Sequence, residues 1–468
     1  MALTGLQIYK LLPQTNCKEC GFPTCLAFAM KLAAKQAELV ACPYVSEGAK
    51  AQLAAAAAPP IRLITLEGPG HKVEVGNETV LFRHEKTFFH RPGIFVRVKD
   101  TTPVEEIKAQ VSAAMGFAVE YVGISLFLDG IAVEAASGAA QTFQAAVQAV
   151  RESTDRALIL MADDPAVMEA GVKAAEGTRP LLYAANASNW EQMAALAKGA
   201  RASLAVRPSD GKADQAVIAG EYTRSEARNL SALAELTGKI QAAGVQDMVL
   251  DPGVRDPSGT LLALTQLRRL ALRKNFRALG YPIITFPGEG AAGPLEEVEL
   301  AGQQIAKYGG FVVLDHFTPA SAYALLALRT NIFTDPQKPI QVQPGIYEIN
   351  SPKADSPLMV TTNFSITYFA VANEVDGSGS PGWLLVADAE GMSVLTAWAA
   401  GKFDAERIAK AVKTTGIEDK INHRKLIIPG HVSVLLGELE EALPGWRIMV
   451  GPREAVDLPG YLKVWNTL

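Results

Sequence analysis

The chain has 468 residues, of which 49% are apolar and 20% charged, and its formal net charge is −5. That length exceeds one ordinary core and calls for two or three domains, and the composition is that of a folded chain, not a disordered one. A mild negative balance without a basic stripe excludes an electrostatic case for nucleic acid.

The opening MALTGLQIYKLLPQ has no charged start followed by an apolar run, so no signal peptide is expected. The longest apolar-looking run, 53–60, is mostly alanine and ends in Pro59-Pro60. It falls far short of the ~20 residues of a membrane span. The expectation is a soluble cytoplasmic protein without a membrane partner.

A short helix is expected over 3–12 and a longer, apolar-periodic one over 26–40. Around them lie all four cysteines, Cys17, Cys20, Cys25 and Cys42, spaced C-x2-C-x4-C-x16-C. In a reducing compartment, clustered cysteines point to metal ligands before disulfides. Gly21 and Pro23 supply turns that could bring three sulfurs to one centre, and Cys42-Pro43 ends the set as ferredoxin-like runs do. An iron–sulfur cluster is the favoured reading. Zinc is the alternative, although the second short knuckle of a structural zinc site is missing, and free thiols are the third. AQLAAAAAPP, 51–60, reads as a tether to the next unit.

From 59 to 330 apolar strands alternate with alanine-rich helices. Strands are expected at 94–100, 121–129, 157–164, 180–186, 202–208, 247–253, 282–288 and 311–317. Eight such runs suggest parallel strands closed into a (β/α)8 TIM barrel, with an open doubly wound sheet as runner-up. Asp163, Asp164, Asn186, Asp251 and Asp315 stand at strand ends, where barrel sites are built; capping the following helices is their plainer role. PGEGAAGP (287–294) reads as a barrel loop.

Residues 331–468 read as a small Rossmann-like α/β domain, entered through FTDPQKPIQVQPG (333–345), a candidate hinge. VTTNFSITYFAVANEV reads as a strand; WLLVADAEGMSVLTAWAAGKF reads as strand, loop and helix. GSGSPG (377–382) precedes a strand instead of following one, which argues against a nicotinamide or flavin fingerprint. The domains are therefore expected at 1–58, 59–330 and 331–468.

TNCKECGFPTCLAFAMKLA…CPYVSE resembles the N-terminal 4Fe-4S domain of the large (gamma) subunit family of corrinoid iron–sulfur proteins, from the reductive acetyl-CoA (Wood–Ljungdahl) pathway. The likeness continues through LYAAN, MVLDPG, GYPII, VTTNFSITYF, GMSVLTAWAAGKF, KLIIPG and VGPREA, nearly the whole chain. It implies an α/β protein with a small 4Fe-4S domain, a central TIM barrel and a C-terminal corrinoid-binding domain. Cys17, Cys20, Cys25 and Cys42 match the cluster ligands one for one. The corrinoid segments supply Thr361, Thr367, Gly391, Met392, Ser393, Val394 and Ala455, with Thr396 near the lower face of the cobalt.

The resemblance also implies the work. Co(I) accepts a methyl group from methyltetrahydrofolate on a separate methyltransferase, methyl-Co(III) donates it to acetyl-CoA synthase/carbon monoxide dehydrogenase, and the cluster reactivates Co(II). The chain is then a methyltransferase component in which no side chain need act as acid, base or nucleophile. A small (delta) subunit is the implied heterodimer partner. No Asp-x-His-x-x-Gly motif is present: Asp315-His316 leads into Phe317-Thr318-Pro319, and His431 reads as a loop residue, so a cobalamin-type corrinoid would be base-off without a protein histidine. The alternatives are an iron–sulfur electron-transfer or activator protein without its own corrinoid, a nicotinamide or flavin enzyme, and a folate-binding methyltransferase.

Overall fold

The computed structural model describes residues 5–33, 37–46, 48–50, 53, 59–121, 124–208, 222–335 and 340–465. The chain divides into two compact units, Met1–Phe117 with Leu128–Arg329, and Ala118–Phe127 with Thr330–Leu468. Among the described residues no helix is long and apolar enough to cross a membrane.

At the N-terminus, helices Gly5–Tyr9 and Cys25–Ala33 and a tight turn Leu39–Ala41 bury Ile8, Leu12, Phe28 and Val45 together. The helix expected to reach Val40 does not do so. Glu38 is extended (φ −107°, ψ 143°), which breaks any helical path to Cys42 and hands that residue to the turn. Most of the expected tether, 51–60, lies outside the described residues.

Hairpin β1 (Ile64–Glu67) and β2 (Lys72–Val75) buries Ile64, Leu66, Val73 and Val75 among the inward side chains of a barrel. The barrel begins with β3 (Gly93–Lys99). A second hairpin follows, β4 (Ala118–Tyr121) with β5 (Ile124–Phe127), and then come β6 (Gly130–Glu134), β7 (Ala157–Met161), β8 (Leu181–Ala185) and β9 (Ser203–Val206). The last barrel strands are β10 (Met248–Leu250), β11 (Ile284–Thr285) and β12 (Phe311–Leu314). The parallel order is β10-β9-β8-β7-β6-β3-β12-β11, and a bridge from Leu250 to Ile283 joins its two ends. That bridge closes the ring, as the TIM barrel expectation requires, so these eight strands do not form the open doubly wound sheet.

One barrel strand differs from the sequence reading. The run 121–129 forms no barrel strand: Ala118–Tyr121 and Ile124–Phe127 pair antiparallel as β4 and β5, whose Tyr121 and Ile124 pack in the second unit. The barrel strand is Gly130–Glu134. At Gly130 a Cβ would stand 2.1 Å from the Ala157 carbonyl oxygen and 2.6 Å from the Phe95 ring, so only glycine fits. Glycine dilutes the apolar signal of β6, while the hairpin alternates convincingly.

The second unit holds β13 (Gly345–Ile349), β14 (Leu358–Thr362), β15 (Gly382–Ala387), β16 (Lys425–Ile428) and β17 (Arg447–Val450) in the order β13-β15-β14-β16-β17. Within this sheet only β13 is antiparallel. Side-chain alternation builds two cores: Leu358, Val360 and Leu385 pack with Phe403 and Ile408, whereas Met359, Leu384 and Ile427 pack with Leu462 and Trp465. VTTNFSITYFAVANEV is not all strand. β14 stops at Thr362 and the helix Ser365–Gly377 follows, carrying Thr367. That helix is apolar without helical periodicity, which is why its β-branched and aromatic residues read as strand. Part of the expected hinge, 336–339, lies outside the described residues.

Candidate cofactor cleft and cysteine module

β14 has β15 on one side and β16 on the other, so the chain reverses its strand order there. In open α/β sheets ligands sit at such a switch point, beyond the carboxyl ends of the strands. The loops after β14, β15, β16 and β17 enclose a cleft of about 330 Å3 at that end.

Five residues named from sequence line the cleft: Thr361, Thr367, Ser393, Val394 and Ala455. Thr361 is 1% exposed, and its Oγ1 has no hydrogen-bond partner. Ser393 starts the helix Val394–Ala399 in an extended conformation, and its Oγ lies 3.0 Å from Thr396 Oγ1, which orients one hydroxyl against the other. Gly391, Met392 and Thr396 are not in the lining. Gly391 shapes the loop with φ +74°, and Met392 packs against the core below it.

Ile366, Ala370, Val371 and His431 also form the wall and were not named from sequence as cofactor contacts. The first three lie with Thr367 at helical i+3 and i+4 spacing, a signal available only once 365–377 is read as helix. His431 Nε2 stands 3.5 Å from Glu454 Oε1.

None of the four cysteines forms a disulfide. Cys25 and Cys42 are buried in the N-terminal core, Cys20 packs partly buried against it, and Cys17 is exposed. Left-handed backbone at Gln14, Asn16, Lys18 and Gly21 winds the loop tightly. Asn16 Oδ1 accepts from the Cys25 N–H at 2.8 Å, and the Asn16 N–H donates to Cys25 Sγ at 3.4 Å. Among the described residues no three metal-ligating side chains already converge, so the thiols share a small core but not a common point. Four thiols, Cys25 among them already accepting a backbone N–H, are a fit donor set for an iron–sulfur cluster, and a cluster would have to draw them together.

At the barrel mouth the strand-end residues divide. Asp164 caps its helix through the Ala166 N–H, and Asn186 closes a turn on Ser188. Asp163, Asp251 and Asp315 instead pair with Arg207, Arg255 and Arg97. Glu289 bridges Arg97 and Arg255 at 2.7 and 2.5 Å. Burial, reinforced by Asp251, pushes the Tyr183 hydroxyl far above the usual phenol range.

A closed barrel, an open α/β sheet with a cleft at its switch point and a thiol-rich module together define a multidomain α/β protein built to hold cofactors. A family model described as "CO dehydrogenase/acetyl-CoA synthase delta subunit" matches residues 64–462, and a second, for an Fe-S cluster, matches 12–44. The corrinoid/iron-sulfur protein large subunit of Moorella thermoacetica is 44% identical over 99% of this chain and 99% of its own. Acetyl-CoA decarbonylase/synthase complex subunit gamma of Methanopyrus kandleri is 34% identical and that of Archaeoglobus fulgidus 33%, each over 98% of this chain and 97% of its own. The chain belongs to this family of large, or gamma, subunits. Among solved structures, a dihydropteroate synthase from Xanthomonas albilineans aligns at a TM-score of 0.40 and 16% identity over 58% of this chain and all of its own, too distant to carry an argument.

Proposed function

We propose that the chain is a corrinoid methyl carrier of the acetyl-CoA pathway, the role its relatives' names point to. The corrinoid would rest on the cleft, held by Thr361, Thr367, Ser393, Val394 and Ala455, with Gly391, Met392 and Thr396 shaping the loop and helix behind them, and a 4Fe-4S cluster would be held by Cys17, Cys20, Cys25 and Cys42. The observation that carries the reading is the Thr361 hydroxyl: it is buried in the cleft wall without a partner. Such a group costs stability unless a ligand satisfies it.

The bound corrinoid would supply a cobalt centre that takes up a methyl group and hands it on, and the cluster would supply single electrons to restore that centre after oxidation. The chain's own part is to bind and orient. Thr361 and Ser393 offer hydroxyls to the ring's amide side chains, while Ile366, Val371 and Val394 keep water from its face. The corrinoid would be base-off without a protein histidine; His431 lies at the rim, with its Nε2 3.5 Å from Glu454 Oε1. The chain's partners are a small (delta) subunit, a methyltetrahydrofolate methyltransferase and acetyl-CoA synthase/carbon monoxide dehydrogenase, all in the cytoplasm.

The test is to purify the full chain without oxygen and reconstitute it with iron, sulfide and cob(II)alamin. Corrinoid absorbance together with about four irons per chain is the expected result. A full iron complement without corrinoid would leave an electron-transfer protein and overturn the proposal.

A further inference from the structure

We infer that Asn363 is a positioning residue for the corrinoid cleft, fixing the loop 388–393 in the shape that presents Ser393 and Val394. The inference rests on the proposed function. Asn363 does not line the cleft; it follows β14 one strand-end away and is 1% exposed.

Its side chain uses every hydrogen-bonding position an amide has. Oδ1 accepts from the backbone N–H of Ala389 and of Gly391, each at 2.9 Å. Nδ2 donates to Asp388 Oδ1 at 3.2 Å and to Gln341 Oε1 at 3.3 Å. The backbone is pinned as well: the Asn363 N–H donates to the Ala387 carbonyl at 3.0 Å, and its own carbonyl accepts from the Val342 N–H at 2.9 Å. One residue thus ties three segments, the stretch before β13, the end of β14 and the loop after β15.

The loop needs such a tie. Glu390 and Gly391 are consecutive left-handed residues, at φ 54° and 74°, a conformation a free loop leaves readily. A Cβ on Gly391 would fall 2.6 Å from Gln341 Nε2, so glycine there and glutamine at 341 fit as a pair. Asparagine is the side chain the geometry demands. Aspartate would turn an acceptor oxygen toward the oxygens of Asp388 and Gln341, and alanine would leave two loop N–H groups without their acceptor. Ser393 and Val394 follow directly, so any change in the loop's path moves the hydroxyl and methyl groups that line the cleft.

The test compares the full chain with Asn363→Asp and Asn363→Ala, titrated with cob(II)alamin and followed by absorbance and by amide hydrogen exchange. Both variants are expected to bind about ten- to a hundredfold more weakly, the range seen when outer-shell supports are removed. Exchange should rise at Ala389 and Gly391 while the amides of β14 and β16 keep their protection. Binding within twofold of the unaltered chain, or exchange that rises evenly across the unit, would overturn the inference. An unaltered chain that takes up no corrinoid while its loop exchange still depends on Asn363 would sink the proposed function instead.

Discussion

Arg255 closes on Asp251 with both arms of its guanidinium, Nη1 to Oδ1 at 2.9 Å and Nη2 to Oδ2 at 2.8 Å, at the mouth of the barrel. The Asp251 side chain is wholly buried. Burial alone would raise its carboxyl, but the charge and hydrogen bonds of Arg255, with the Tyr183 hydroxyl, outweigh that and hold it below the ordinary range. Arg255→Ala would leave a dry, uncompensated carboxylate, a loss of about 3–5 kcal/mol. Urea unfolding followed by circular dichroism reads it. Asp251→Asn combined with Arg255→Met should lose less than the single change, and equal losses would sink the argument.

Acid should attack the first unit through two buried carboxylates. Asp129 is buried, which opposes charge, yet Arg329 and the Ile94 N–H keep its carboxyl below the usual value, as Arg255 does for Asp251. Since both folded-state values lie below the unfolded one, near 3.9, the stabilisation is complete above about pH 4 and is lost as pH falls through the folded values. Melting temperature should therefore be level from pH 7 to about 5 and drop below about 4. Asp129→Asn should lower the plateau and flatten the drop; an unchanged acid limb would count against it.

Thr361→Val keeps the shape of the cleft and deletes its orphan hydroxyl. Folding stability should hold or rise slightly, whereas cob(II)alamin binding should weaken by about 1 kcal/mol, roughly fivefold. Unchanged binding would remove Thr361 from the ligand set.

Cys20→Ser should separate two activities. Iron content and electron-dependent reactivation of oxidised cobalt should collapse, while corrinoid uptake and methyl transfer from chemically pre-reduced cobalt persist. Loss of both together would mean that the module does more than deliver electrons.

His431→Ala tests the base-off expectation. The electron paramagnetic resonance spectrum of bound cob(II)alamin should be the same with and without His431. Nitrogen splitting that disappears in the variant would make His431 a cobalt ligand.

What could be read from sequence follows from where each signal resides. ALILM and LLYAA are buried on both faces, so an unbroken apolar run betrays a barrel strand. The strand at Gly130 hides because its packing demands the residue type that strands avoid. Thr361, Ser393 and Val394 are nameable only through the family resemblance of the stretches that carry them; alone, Thr361 reads as strand filler and GMSV equally as a turn. Asn363 is not nameable: its importance lies in meeting Gln341 and Gly391, 22 and 28 positions away. The cysteine spacing was plain, but the extended Glu38 that delivers Cys42 from a turn is a backbone fact no spacing carries.

The hairpin of β4 and β5 has a consequence for anyone who would take the molecule apart. The polypeptide leaves the first unit after Phe117, re-enters it at Leu128 and leaves again after Arg329. The second unit is therefore not one editable segment. A fragment cut at 330 would lack Tyr121 and Ile124 and uncover part of the apolar core they pack against. Such a fragment should aggregate, and a gene fusion meant to transplant the cleft has to splice in ten residues from more than two hundred positions upstream.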